Sequence, residues 1–160
     1  MNPEQLKAYH VKKKFQLLHG TQNPKEIIKS QKPDLKMSGT NYTGMGDGSF
    51  YATNIPYLAK SYGTQTKVTF DPKIKIIEEK YLPKTFRQTS DDGLIHYETN
   101  IVKIRKKQNK IAKERGFDAI ITHDIGNIGL KADGTTGIVP SRNIQLRLLN
   151  PDKVTKVELL

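Results

Sequence analysis

Short apolar runs, each broken within a few residues by glycine, proline or asparagine, govern what this chain can fold into. Phe15-Gln16-Leu17-Leu18-His19-Gly20, Ser49-Phe50-Tyr51-Ala52-Thr53, Val68-Thr69-Phe70, Ile74-Lys75-Ile76-Ile77, Phe117-Asp118-Ala119-Ile120-Ile121, Ile144 to Leu149 and Val154 to Leu159 read as strands. Asp71-Pro72 and Asn150-Pro151-Asp152 supply turns between neighbouring strands. Helices are predicted from Asn23-Pro24, with Ile27 and Ile28 turned to the core, and from Pro56 through Leu58, Ala59 and Tyr62 to a close at Gly63. A longer one is predicted from about Tyr97 to Arg115, closed by Gly116, because Ile101, Ile104 and Ile111 recur near helical spacing among lysines. Residues 3–13 read as the start of a helix, 31–48 and 124–136 as loops, and 80–96 follow no clear pattern. Strands come early and late with helices between them, without regular strand–helix alternation, so the class is α+β rather than doubly wound. No repeat or low-complexity linker divides the 160 residues, which is the size of one domain.

Composition excludes several functions. Cysteine is absent, so neither a disulfide framework nor a thiolate nucleophile is available, which fits a reducing compartment. The opening Met1-Asn2-Pro3-Glu4-Gln5 has no apolar core of a signal peptide, and no run nears the roughly 20 apolar residues of a membrane span. A cytoplasmic location follows as an expectation, with delivery into another cell left open. The net charge of +11, with a pI of about 9.7, favours anionic partners such as nucleotides, nucleic acid or acidic protein surfaces.

Familiar motifs fail on context. Gly44-Met45-Gly46-Asp47-Gly48 precedes a strand, whereas a dinucleotide fingerprint follows a strand and opens a helix, and no Gly-Lys-Ser/Thr ending marks a phosphate loop. His10, His19, His96 and His123 are scattered without a second histidine at helical spacing, so no metal site is expected. No Gly-x-Ser-x-Gly elbow occurs. His96-Tyr97-Glu98 are adjacent and so cannot line one cleft from separate strands.

Two positions carry more. His19 ends an apolar strand and is followed by Gly20-Thr21; an imidazole there can bond a ribose hydroxyl, and Gly20 lets a planar group approach the backbone. A single histidine is more often a satisfied structural residue. Tyr51 shifts the balance, because alternation sets Phe50 and Tyr51 on opposite faces, one for core and one for a cleft where an aromatic ring can stack on a flat cation.

The order His19-Gly20-Thr21, a glycine-containing loop, Phe50-Tyr51-Ala52-Thr53 and a helix ending Leu58-Ala59-Lys60-Ser61-Tyr62 resembles the ADP-ribosyltransferases, in particular small bacterial and phage members of the poly-ADP-ribose-polymerase and diphtheria-toxin branch. Phe117-Asp118-Ala119-Ile120-Ile121 and Gln145-Leu146-Arg147-Leu148-Leu149-Asn150-Pro151-Asp152 extend the resemblance over about residues 15–158. Each motif is short; their order and spacing carry the likeness.

The resemblance implies two small, mostly antiparallel sheets with flanking helices and NAD as substrate in the cleft between them. It implies His19, Tyr51 and Gln145 as the catalytic set, and His19, Gly20, Thr21, Tyr51 and Tyr62 as NAD-binding residues, with no metal. Histidine would bind the adenosine-side ribose, glycine the nicotinamide amide, and tyrosine the nicotinamide ring, with Tyr62 as a second aromatic wall. Gln145 stands where the family has glutamate and brings no negative charge. The implied activity is transfer of one ADP-ribose from NAD to a macromolecular acceptor, protein or nucleic acid. The alternatives are a catalytically weak NAD- or ADP-ribose-binding domain and a basic nucleic-acid-binding domain. Alternation sets Gln145 and Arg147 on one strand face, with Arg147 expected to meet phosphate or an acidic acceptor; Glu158 is the nearest acidic substitute in the last strand.

Overall fold

The computed structural model describes residues 15–35, 47–123, 128–130, 133–138 and 143–160. In chain order they form β1 (Gln16–Thr21), α1 (Pro24–Ser30), β2 (Phe50–Thr53), α2 (Pro56–Ser61), β3 (Thr64–Phe70), β4 (Ile76–Glu78), a 3-10 turn (Glu79–Tyr81), β5 (Arg87–Thr89), β6 (Ile95–Tyr97), α3 (Ile101–Glu114), β7 (Ala119–His123), β8 (Ile128–Leu130), β9 (Thr136–Ile138), β10 (Ile144–Leu148), a second 3-10 turn (Pro151–Lys153) and β11 (Val154–Leu159). The helix expected over 3–13 and the glycines Gly39, Gly44 and Gly46 lie outside the described residues, as does Arg142.

The class is α+β. Seven strands form one mixed sheet in the order β11-β3-β1-β2-β10-β7-β4, and β5–β6 and β8–β9 form two-stranded hairpins. All pairs in the large sheet are antiparallel except β4 with β7. The two small sheets with a cleft between them expected from the sequence are not seen among the described residues: seven strands form one sheet, in which β1 and β2 are in register at a single pair, Leu18 with Thr53. Residues 80–96, without a pattern in the sequence, become the first 3-10 turn and most of the β5–β6 hairpin.

Burial follows the strand alternation. Leu17, Phe50, Ala52, Val68, Phe70, Ile76, Ala119, Ile121, Leu146 and Leu148 pack on one face, with Ile27 of α1 against them. Helix α1 is tied down by Gln31, whose side chain bonds both the N–H and the carbonyl of Val157 on β11. The opposite face carries α2 and α3, and a smaller cluster of Ile77, Leu82, Ala112, Ile120 and Leu149.

Helix α3 departs from the expected stripe. Its start is set by Asn100, whose side chain accepts from the N–H groups of Val102 and Lys103 at 3.0 and 3.2 Å. That phase buries Val102, Gln108, Asn109 and Ala112, while Ile101 is exposed. The polar inner positions follow from what the sheet presents below them, the side chains of Arg147 and Tyr51.

Gly20 sits directly beneath α2. A Cβ there would fall 1.8 Å from the carbonyl oxygen of Ala59 and 3.0 Å from Cβ of Tyr62, so only glycine lets the helix rest on the strand. Gly20→Ala is expected to destabilise the protein by roughly 3 kcal/mol, the upper part of the range for overpacking. Urea unfolding checks this; an unchanged midpoint would show that α2 does not bear on β1.

Candidate functional site

The seam between β1 and β2 is the geometric centre of the candidate site. Strand β1 is registered against β3 along its whole length, and β2 against β10 along its whole length. Between β1 and β2 only Leu18 and Thr53 pair; continuing that register would oppose Gly20 to Tyr51, and this pair is not made. Towards Thr21 and Phe50 the β1–β2 ladder is therefore not continued, which leaves a gap in the backbone pairing among His19, Gly20 and Tyr51.

The His19 side chain spans that gap. Its Nδ1 lies 2.7 Å from the Tyr51 carbonyl oxygen, and its ring stacks on Phe50 at 4.0 Å between centroids. A carbonyl accepts only, so Nδ1 carries the hydrogen and Nε2 presents a lone pair when the ring is neutral. Burial disfavours the imidazolium and lowers the pKa from 6.5 to about 4, against the smaller opposing effect of the Tyr51 carbonyl. The ring is thus neutral at pH 7 and suited to accept a hydrogen bond from a ligand hydroxyl.

The other sequence-derived residues are divided between the two faces of the sheet: the His19 ring lies on the Phe50 side, whereas Tyr51 and Gln145 lie on the α3 side. Tyr62, at the end of α2, stands over Gly20. Thr21 is committed to the chain turn: its Oγ1 accepts from the Asn23 N–H at 3.1 Å. Tyr51 is held on both sides, its hydroxyl donating to the Asp47 carboxylate and Arg105 of α3 lying 5.7 Å from the ring centroid. Burial and then the nearby Asp47 charge push the Tyr51 phenol up to about 12. The stacking face expected to be open is therefore covered on one side by a guanidinium. Gln145 lies opposite Thr53 on β2 and opposite Thr122 on β7, one strand from Tyr51 and on the same face of the sheet.

Two expectations are corrected. Arg147 does not project to a phosphate: it is 2% exposed and donates from Nη2 to Oε1 of Gln108 at 2.9 Å, with burial the main cause of its lowered pKa. Its position opposite Tyr51 and Ile120 puts it under α3, which the strand pattern alone did not reveal. Glu158 belongs to β11, separated from β10 by β3, β1 and β2, and it pairs with Lys67 and Lys156. It cannot substitute for Gln145.

Four residues were missed in the sequence. Asp47 accepts from Ser49, Tyr51 and, through its main-chain carbonyl, from Asn109 at 3.0 Å. Arg105 caps Tyr51. Thr122 donates its hydroxyl to the Glu79 carboxylate, which brings Glu79 to the same face as Gln145. The signal for Glu79 was present: alternation through Ile76, Ile77 and Glu78 puts it on the Ile77 side of the strand.

Comparison with protein-family models, with curated proteins and with solved structures finds no match. Among the described residues no helix is long and apolar enough to cross a membrane.

The depressed His19 pKa has a consequence for stability. The unfolded chain binds a proton at this residue below about 6.5, the native protein only below about 4, so the native state is favoured above 6.5 and that stabilisation is lost as pH falls through 4. The linkage amounts to roughly 3 kcal/mol. Against His19→Gln, the wild type is expected to lose this much additional stability between pH 6.5 and 4. Parallel urea midpoints for the two proteins across that range would show that the imidazole titrates normally.

Proposed function

We propose that this chain is an NAD-dependent mono-ADP-ribosyltransferase of the ADP-ribosyltransferase fold, transferring one ADP-ribose to a protein or nucleic-acid acceptor. The observation that carries the reading is the opening between β1 and β2, bridged by a neutral His19 whose Nε2 can accept from a ribose hydroxyl. Gly20 lies on β1 at that break in the ladder, and Gln145 lies on β10 opposite Thr53, with β2 between it and β1. In this reading the two halves of the sheet, β11-β3-β1 and β2-β10-β7-β4, correspond to the two sheets of the family, and the substrate lies along the seam.

The division of labour follows from the chemistry. Nicotinamide in NAD carries a positive charge and leaves as a neutral base, so the protein chiefly positions the substrate and faces the charge that develops at the ribose. His19 holds one ribose through Nε2, the backbone of Gly20 pairs with the nicotinamide amide, and Gln145 holds a hydroxyl of the other ribose through its amide. Arg105 occupies one face of Tyr51, so nicotinamide uses the opposite face or the edge. Basic residues on the outward side of α3, Lys103, Lys106, Lys110 and Lys113, favour an anionic acceptor.

Incubation with labelled NAD and cell lysate is expected to move label into macromolecules and release free nicotinamide. NAD at about a hundred times its Kd should raise stability by about 2.7 kcal/mol. His19→Ala should weaken NAD binding about tenfold, the loss of one hydrogen bond to a buried partner. Tyr51→Ala should cost more affinity for NAD than for ADP-ribose. Gln145→Ala should sharply reduce transfer while the thermal transition stays in place. Absence of nicotinamide release with retained NAD binding would instead favour the binding-module reading, for which the uncharged Gln145 is the specific support.

A further inference from the structure

The register of the sheet sets one row of side chains on the α2/α3 face: Leu18 on β1, Thr53 on β2, Gln145 on β10 and Thr122 on β7. Strand β4 pairs in parallel with β7, with Ile77 beside Ile120 and Glu78 beside Ile121. Ile77 and Ile120 share the small core cluster under α3, so Glu78 points to the opposite face and Glu79 returns to the face of Gln145. The Thr122 hydroxyl donates to the Glu79 carboxylate and so fixes it at the end of this row.

We propose that Glu79, held by Thr122 on the face of Gln145 and two strands from it, supplies the negative charge that Gln145 lacks and faces the ribose from which nicotinamide departs. The inference rests on the transferase reading above. In the reaction the bond between C1′ and the nicotinamide nitrogen breaks, and its electron pair leaves with nicotinamide. Positive charge develops at C1′ and the ring oxygen. A lone pair of the acceptor then forms the new bond to C1′, and the acceptor's proton passes to water. The carboxylate stabilises the developing charge and forms no bond, while Gln145 keeps the hydroxyl contact.

Competing placements are less suited. Glu78 is 2% exposed, lies on the opposite face, and is engaged by Lys80 at 3.0 Å and by His123 at 3.6 Å. Asp47 is committed to Ser49 and Tyr51. Glu79 is half-buried at the sheet end and also lies near enough to Arg147 to favour its cation.

The test separates charge from structure. Glu79→Gln keeps an acceptor for the Thr122 hydroxyl and removes only the charge. Its kcat for nicotinamide release should fall about a hundredfold, the scale of losing one electrostatic group at a reacting centre, with KM for NAD within about threefold. Adding Gln145→Glu to Glu79→Gln should restore most of the rate, because the charge returns two positions along the same row. Thr122→Val, which leaves the carboxylate in place but unheld, should lower kcat without changing NAD affinity, and it carries the test if Glu79→Gln does not fold. Wild-type kcat in folded Glu79→Gln, or in Thr122→Val, would overturn the role of Glu79 while leaving the transferase reading intact. A wild-type protein that neither binds NAD in calorimetry nor releases nicotinamide overturns both.

Discussion

The sheet is continuous through one backbone pair, Leu18 with Thr53, and the arrangement of the candidate site depends on it. On one side β1 is registered against β3, and on the other β2 against β10, so the ladder between the two halves diverges after a single pair. Divergence exposes main-chain groups that an ordinary ladder would satisfy, and buried carbonyls need donors. His19 supplies one to Tyr51, and Phe50 stacked on its ring fixes the angle at which it does so. The same bond dictates the tautomer, so the requirement of the fold and the requirement of a hydroxyl-binding site are met by one proton position.

The second constraint is the polar contact between α3 and the sheet. A cation at Arg147 with 2% exposure demands compensation: it donates a hydrogen bond to Gln108 and lies in the favourable fields of Tyr51, Glu79 and Asp47. Tyr51 joins the same network through Asp47 and lies under Arg105. Helix α3 thereby sets the position of a candidate site residue that lies on β2. Its inner face carries Gln108 and Asn109 where a purely apolar stripe would leave the Arg147 charge without a partner.

Much of this was legible in the sequence. Period-two alternation identified β1, β2, β7, β10 and β11, and the proline and glycine signals bounded α2, because these depend on residues adjacent in the chain. Alternation also set Gln145 and Arg147 on one face, as observed. What it could not supply was the partner across space. Arg147 and Gln145 are equivalent in the strand pattern, yet one lies under α3 and the other beyond it. The phase of α3 was legible only in part for the same reason: Ile111 packs on the small core cluster, but Ile101 is exposed, because the Asn100 cap and polar groups on strands remote in sequence set the phase. The seam at Leu18 depends on the register between two strands separated by α1 and residues 31–49, and no local pattern encodes it.

Pairing across β10 also explains why an amide can stand where a family resemblance calls for a carboxylate. Thr53 and Thr122 flank position 145, and the Thr122 hydroxyl is already donated to Glu79. A second carboxylate at 145 would face Glu79 across one strand, and two such charges on one side of a sheet disfavour each other's ionisation. Arg147 can offset part of that repulsion, but its guanidinium is held by Gln108 and shielded beneath α3. A neutral side chain at 145 avoids the conflict and leaves one full negative charge in the row. Under the proposed transferase reading, the amide and the carboxylate would divide between two strands the tasks given to one glutamate, with the hydrogen bond falling to Gln145 and the charge to Glu79.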